Sequence, residues 1–338
     1  MTVAVRTVAM LLACALLAAC SDGDPSPAAG TPSAASPTRS TIPAAADTPT
    51  PTAPRSLPAG AAWQAGRGEV RPEVKQAAAR YLETAGTWTD AEGGAADVAA
   101  RVRTLGYGPA AAAGAAVLSH AADAAVLRVV YPQYGGLTRT AASVMVVAEQ
   151  RLLHRGEIVT RRLAVDVRLD LRRNRSPVVT GIERPTAAGA ARPVSAAARA
   201  VLADPDIVLT DTAVADVTEG RIDDSVLRLL RNLAAEHVLD VTVLRSGHPR
   251  NVFATDRTSN HTRGRAVDIW RVDGKPVADP ATSRALLRAV MIAGGRAGAT
   301  EVGGPFDVDG SGPGFFTDQV HRDHLHFGVS AGEKPARP

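Results

Sequence analysis

Cysteine is almost absent from this chain of 338 residues: only Cys14 and Cys20 occur, both near the N-terminus. The rest of the chain can form neither a disulfide bond nor a cysteine-rich structural zinc site. Its folded parts must therefore be stabilised by their hydrophobic cores, for which 45% hydrophobic residues, many of them alanine, are sufficient. The length indicates about two domains.

Lysine and aromatic residues are also scarce. Lys75, Lys275 and Lys334 are the only lysines, so the net charge of +4 comes almost entirely from arginine. No basic stretch is interleaved with aromatic side chains that could stack on bases. Because the charge is also modest and dispersed, the composition argues against nucleic-acid binding.

The apolar run Thr7–Ala19 is shorter than the roughly 20 residues that a membrane-spanning helix needs, but it has the length of a signal-peptide core. It ends in Leu-Ala-Ala-Cys, which matches the bacterial lipoprotein box, where the cysteine thiol receives a diacylglycerol. We therefore expect residues 1–20 to be a lipoprotein signal peptide, Cys20 to be the lipidation site, and the protein to be extracytoplasmic and anchored to the membrane by lipid. A plain secretory peptide with an incidental cysteine is the alternative.

Residues 21–62 consist mainly of proline, alanine, serine and threonine. A segment of this composition cannot bury enough apolar surface to offset its ordering entropy. We expect a disordered linker that holds the following domains clear of the membrane surface.

Residues 63–187 have the pattern of a small accessory α+β domain. Helices are predicted first and a strand meander second, at Val70–Ala85, Ala95–Leu105, 125–131, 142–153, 163–171 and near 178–182. In the run 163–171 apolar residues alternate with polar ones, which predicts an antiparallel strand with one solvent-facing side. This order loosely resembles the cystatin-like cone fold and carries no catalytic motif. We expect a spacer or a substrate-docking module.

Residues 188–335 predict a second α+β domain. Apolar residues at helical spacing between Ile222 and Leu233 indicate a helix, and Leu239, Val241 and Val243 then alternate as a strand. A later helix is predicted to begin at Asp279 as N-cap, with Pro280 in its first turn, and to end at Gly294. Further strands are expected at 266–270 and 324–329.

Two motifs in this second domain indicate a metal site. His261 lies seven residues before Asp268, and Asp268 lies in a predicted strand between core positions, where a carboxylate needs a partner. Near the C-terminus, His324 and His326 share one face of a strand, about 7 Å apart along the backbone. Two histidines and one aspartate form a three-ligand set that leaves a fourth zinc position for water. A remaining imidazole on the same face, such as that of His324, could transfer protons between water and a leaving amine.

These motifs resemble the zinc peptidases of the lysostaphin, D-alanyl-D-alanine peptidase and hedgehog group, in particular its D-alanyl-D-alanine carboxypeptidase and murein endopeptidase branches. The resemblance covers about residues 235–330 and rests on Ser246-Gly247, Ser259-x-His261-x-x-Gly264-x-Ala266-x-Asp268 and His324-x-His326. It implies a hedgehog/D-Ala-D-Ala-peptidase-like fold with a small antiparallel sheet and helices, with His261, Asp268 and His326 as zinc ligands. It further implies His324 as the base, His321 as an additional active-site histidine, and peptidoglycan stem peptides as substrate.

The substrate-binding arginine of the resembling family does not align directly with this chain. Such an arginine usually follows Ser-Gly closely, whereas here Ser-Gly is followed by His248-Pro249-Arg250. Arg250 is thus displaced by one residue, and Arg245 just before the motif competes for the role. Both are candidates, with Arg263 and Arg265 nearby.

Three alternatives remain open at this stage. A non-catalytic zinc- or wall-binding lipoprotein would share the metal ligands but would not need His324. Two histidines and a carboxylate also bind ferrous iron in oxygenases, although usually at a shorter spacing. Asp307, Asp309 and Asp318 approximate a calcium loop, for which a glycine-rich lip over the cleft is the competing interpretation.

Overall fold

The computed structural model describes residues 56–172, 176–183, 193–310 and 312–338. The predicted signal peptide, Cys20, most of the predicted linker and the expected domain boundary at 187/188 lie outside these residues. Within the described ranges, no helix is long and apolar enough to cross a bilayer.

The first part of the described chain packs helices on a four-stranded antiparallel sheet. Its strands pair in chain order, β1-β2-β3-β4. The helices are α1 (Pro72–Ala85), α2 (Ala95–Thr104) and α3 (Pro109–Gly114), followed by a 3-10 turn (Ala115–Leu118). The strands are β1 (Ala124–Leu137), β2 (Ala141–His154), β3 (Glu157–Asp170) and β4 (Val178–Glu183). The predicted order of helices followed by a meander is confirmed.

The second part, residues 193–338, packs helices on a mixed sheet of seven strands. The sheet order is β10-β9-β11-β7-β6-β5, and β8 pairs with β7. The helices are α4 (Ala196–Leu202), α5 (Asp211–Thr218), α6 (Asp224–Ala234) and α7 (Arg284–Arg296). The strands are β5 (Ile207–Val208), β6 (Leu239–Val243), β7 (Ala266–Val272), β8 (Lys275–Pro276), β9 (Glu301–Gly303), β10 (Phe315–Phe316) and β11 (Leu325–Gly328). The fold is therefore mixed α+β, as expected.

The predicted start of the last helix is wrong. Asp279 does not cap α7; its carboxylate accepts the backbone N–H of Ala281 in a separate turn. Helix α7 begins four residues later, where the Ser283 hydroxyl accepts the N–H of Leu286. An aspartate followed by proline stabilises a turn as readily as a helix start, so the local sequence does not distinguish the two.

The solvent-facing side predicted for β3 is also wrong. Ala164 and Asp166 on that side are only 4% and 1% exposed, and the second part of the chain contacts Ala164. The N–H of Ala164 donates to the Thr212 hydroxyl of α5, and the backbone of Gly247 comes so close that an added Cβ would lie 2.9 Å from the Ala164 carbonyl oxygen. The two parts are therefore in direct contact along β3.

Each part has its own hydrophobic core. The first core lies between α1 and the four-stranded sheet and includes Val74, Leu82, Val144 and Val167. The second lies between α6, α7 and the mixed sheet and includes Leu230, Ile269 and Phe327. Buried polar side chains lie where the two parts meet, and the predicted metal ligands are among them.

Candidate metal centre

The structure brings His261, Asp268 and His326 together. Asp268 in β7 lies directly opposite His326 in β11, so the two side chains share one face of the antiparallel pair. Asp268 Oδ1 is 2.9 Å from His326 Nδ1 and 3.2 Å from His261 Nε2. The two imidazole nitrogens are 3.3 Å apart. The three donor atoms thus form a small triangle. The residues that carry them are buried, with exposed fractions between 0% and 8%.

The turn before β7 positions His261. The N–H of Gly264 donates to the His261 carbonyl oxygen, and Gly264 has a φ of +68°. A Cβ at this position would lie 2.0 Å from the carbonyl oxygen of Arg221, so both the backbone angle and the space require glycine. The tight turn expected from the sequence between His261 and Asp268 is confirmed.

Neighbouring acceptors fix the orientation of both imidazoles. His261 Nδ1–H donates to the carbonyl oxygen of Leu244 at 2.7 Å, which leaves the lone pair of Nε2 facing the triangle. His326 turns Nδ1 toward Asp268, while its Nε2 lies 3.7 Å from Glu301 Oε2. Acceptors behind the ligating nitrogens are typical of histidines in metal sites.

The electrostatics of the cluster favour separated charges. Burial alone would raise the pKa of Asp268, but the nearby histidines outweigh it and hold this pKa well below its usual range. Burial likewise opposes protonation of His326, yet the hydrogen bond to Asp268 and the nearby carboxylate of Glu301 raise its pKa to about 9. The nearby imidazole of His326 lowers the pKa of Glu301 to about 2. In the metal-free protein, a proton on His326 Nδ1 therefore occupies the triangle between carboxylate and imidazole.

His248 is a site residue that the sequence did not reveal, because a histidine in a turn carries no local signal. Its ring stacks on that of His261 with centroids 3.9 Å apart, and its Nδ1–H donates to the Pro249 carbonyl oxygen. Burial and the neighbouring His261 lower its pKa well below the usual value, so Nε2 keeps a free lone pair. His248, His261 and Asp268 offer ligand atoms within 4.8 Å of one another and could hold a metal ion.

The geometry distinguishes two overlapping donor sets. Bonds of about 2.0–2.1 Å to a tetrahedral zinc ion require ligand atoms about 3.3 Å apart. The triangle of His261, Asp268 and His326 has sides of 2.9–3.3 Å and meets this requirement closely. In the alternative set, His248 replaces His326, and the three ligand atoms lie within the wider limit of 4.8 Å of one another. The tighter triangle is therefore the better fit, with His248 beside it.

His324 and His321 also face the centre. His324 Nδ1–H donates to Asp323 Oδ1 at 2.7 Å, and its Nε2 lies 3.8 Å from Asp268 Oδ1. The His321 ring lies 4.9 Å from that of His324, and its Nδ1–H donates to Asp318. Burial lowers the pKa of His321 despite that bond. The two histidines predicted to act beside the ligands thus share one cavity with them.

A cavity of about 410 Å³ opens over the centre. Besides the cluster itself it is lined by Tyr134, Val252, Phe253, Arg257, Phe316 and Asp318. Among these lining residues, all within the described ranges, the one arginine is Arg257, whose side chain is 68% exposed. Arg245 instead donates through Nε to the Thr262 carbonyl oxygen, and Arg250 is exposed outside the cavity. Substrate binding by Arg245 or Arg250 stays a prediction that this geometry does not favour.

Comparison of the chain with known protein families, with curated proteins and with solved structures gave no match. The interpretation of the site therefore depends on its own geometry. Of the predicted calcium-loop residues, Asp318 contacts His321 in the metal cavity, whereas Asp307 accepts the backbone N–H groups of Asp309 and Gly310.

Proposed function

We propose that this protein is an extracytoplasmic zinc peptidase that cleaves peptidoglycan stem peptides and is anchored to the membrane through Cys20. The observation that carries the proposal is the buried triangle of two imidazole nitrogens and one carboxylate oxygen, with further imidazoles in the same cavity. The peptidoglycan substrate rests on the lipoprotein box and on the family resemblance of the motifs. We further propose that residues 188–335 have the hedgehog/D-Ala-D-Ala-peptidase-like fold, and residues 63–187 a cystatin-like cone.

Zinc suits this donor set better than the alternatives. Imidazole and carboxylate donors without thiolate, in a site that retains an open position, are typical of catalytic zinc. His261 Nε2, His326 Nδ1 and Asp268 Oδ1 would hold the ion. When bound, zinc lowers the pKa of a coordinated water toward about 7 and polarises a carbonyl group.

His324 has the geometry of a general base. Its Nδ1–H is engaged by Asp323, so Nε2 carries the lone pair and faces the oxygen of Asp268 that belongs to the triangle. From there Nε2 can take a proton from the attacking water and then donate it to the leaving amine. His321 lies next to this path: it lines the same cavity, and its Nδ1–H donates to Asp318.

Arg257 is the best-placed group for a substrate carboxylate. It lines the cavity wall, and its guanidinium lies 3.9 Å from the carboxylate of Glu301, which also lies near His326. A guanidinium can bind a peptide carboxylate with two parallel hydrogen bonds. The aromatic side chains of Tyr134 and Phe316 provide apolar walls on other sides of the cavity.

Incubation of the purified, zinc-loaded protein with muropeptides, with products read by mass spectrometry, tests the proposal. We expect release of an amino acid or peptide by the wild type. His324→Gln should retain zinc and lose cleavage. Retained zinc without cleavage by the wild type would instead indicate a binding module, and iron in protein purified without added metal would indicate oxygenase chemistry.

A further inference from the structure

Buried side chains from the first part of the chain reach into the centre. Gln133 in β1 is fully buried, and its Nε2 donates to Asp268 Oδ2 at 2.8 Å, on the carboxylate oxygen that does not face the histidines. The Thr242 hydroxyl in β6 donates to Gln133 Oε1, which fixes the orientation of the amide. The carboxylate of Asp268, a proposed zinc ligand in the second part of the chain, is therefore held by a side chain of the first part.

A second contact from the first part ends at His324. Lys75 in α1 is fully buried, and its Nζ lies 2.6 Å from Asp323 Oδ2. The backbone N–H of Tyr134 donates to the same oxygen at 3.0 Å. The other oxygen, Oδ1, accepts Nδ1–H of His324. The carboxylate that orients the proposed base is thus itself held by a helix and a strand of the first part.

The environment of Lys75 indicates that its charge serves a purpose other than stability. Lys75 pairs with Glu69 as well as Asp323, and Glu69 accepts the hydroxyl of Tyr131. Taking such charged groups out of water is costly, and well-packed apolar residues of the same volume often stabilise a core equally well. The charge is nevertheless placed on the carboxylate that accepts the Nδ1–H of His324. That position is informative because a purely structural lysine needs no connection to the centre.

We infer that the first part of the chain positions the catalytic site through two side chains: Lys75 holds Asp323 and through it His324, while Gln133 holds Asp268. This inference replaces the expectation of a spacer or docking module, and it rests on the proposed function as far as turnover is concerned. Its metal-binding part can be tested without any substrate.

The first experiment is a double-mutant cycle in the full chain, with Lys75→Met, Asp323→Asn and both together. We expect each single variant to lower kcat by about 10–100-fold with KM within about twofold of the wild type, since only orientation of the base is lost. The double variant, which removes one charge of each sign, should resemble Asp323→Asn alone. Val74→Ala, a core substitution next to Lys75, is the control: it should lower the unfolding temperature and leave kcat unchanged.

The second experiment measures zinc affinity by competition with a chelator. Gln133→Met keeps the size of the side chain and removes the hydrogen bond to Asp268, so zinc affinity should fall by about 10–100-fold. Gln150→Met is the matched control, because Gln150 is also fully buried but bonds to Gly86 and Leu118 away from the centre. Its zinc affinity should equal that of the wild type.

The outcomes separate the two proposals. Wild-type kcat in a folded Lys75→Met variant, or effects of Lys75→Met and Asp323→Asn that simply multiply, would overturn the positioning of His324. Equal zinc affinity in the Gln133 and Gln150 variants would overturn the positioning of Asp268. A wild-type protein that binds zinc tightly but cleaves no muropeptide would overturn the proposed peptidase, while the zinc measurement still decides the role of Gln133.

Discussion

The proton on His326 competes with a metal ion for the same place. Its Nδ1 faces both Asp268 and His261, and its pKa is raised to about 9 by Asp268 and Glu301 against the effect of burial. A metal ion binds only the deprotonated nitrogen, so binding near neutral pH releases this proton.

The stability of the metal-free protein should therefore fall as the pH rises. A raised pKa means that the stabilising contribution is fully present below the ordinary value of about 6.5 and is lost as the pH rises to about 9. Urea unfolding with a chelator between pH 6 and 9.5 measures this loss, and zinc should abolish it. His326→Gln is the control, and an equal pH dependence in that variant would contradict the assignment.

The two donor sets can be distinguished by substitution. We expect His261→Ala and His326→Ala each to weaken zinc binding by more than about a hundredfold. This loss is larger than the one usually caused by removing a residue that only hydrogen-bonds to a metal ligand. His248→Ala should stay within about tenfold of the wild type, because His248 lies outside the tight triangle. Isothermal titration with zinc measures all three. A His248 variant as weak as the His261 variant would make His248 a ligand.

Arg257 should determine recognition of a substrate carboxylate. Arg257→Gln should raise KM by about tenfold, which corresponds to one charge-assisted hydrogen bond at a largely exposed site, with kcat little changed. Peptides with an amidated C-terminus should be insensitive to the substitution. Arg245→Gln and Arg250→Gln serve as comparison, and a larger rise in KM in either of them would restore the prediction made from the sequence.

The turn that precedes β7 is the local element on which the centre depends most. Gly264→Ala would place a methyl group against the Arg221 carbonyl oxygen and strain a backbone with φ of +68°. We expect a loss of more than about 1 kcal/mol in the free energy of unfolding, together with weaker zinc binding.

Gly274→Ala provides the matched control for that substitution. Gly274 follows β7, has a φ of +72°, and an added Cβ there meets nothing within 4 Å. It should therefore show the backbone strain alone, with zinc affinity unchanged. Equal zinc affinity in the Gly264 and Gly274 variants would show that the turn does not position His261.

The strands and turns of the centre were predictable because their signals are local. Alternation placed His324 and His326 on one side, a glycine allowed the turn after His261, and Asp268 stood among core positions; the structure brings all four residues to one cavity. Gln133 and Lys75 were not predictable as parts of the centre, since their contacts with Asp268 and Asp323 connect positions 135 and 248 residues apart with no periodic pattern. For the same reason, the side of β3 predicted to face solvent is covered by α5.

The contacts between the two parts should make unfolding of residues 56–338 cooperative. Separating the parts would break the buried ion pair between Lys75 and Asp323 and the hydrogen bond from Gln133 to Asp268. Breaking a buried ion pair costs several kcal/mol. We expect a single thermal transition, shifted as a unit to lower temperature when zinc is removed. Fluorescence of Trp88, in the first part, and of Trp270, which stacks on Tyr131 between the parts, measures it with single-tryptophan variants. Two separated transitions would show that the parts unfold independently.

The hydrogen bond from Gln133 to Asp268 has a consequence for protein engineering. A chimera that joins residues 193–338 to another carrier would lose Gln133, which donates a hydrogen bond to Asp268, even though every proposed zinc ligand is retained. Fusion boundaries for a transplantable module that keeps this centre intact therefore belong upstream of Glu69 and Lys75, within the proline- and alanine-rich segment.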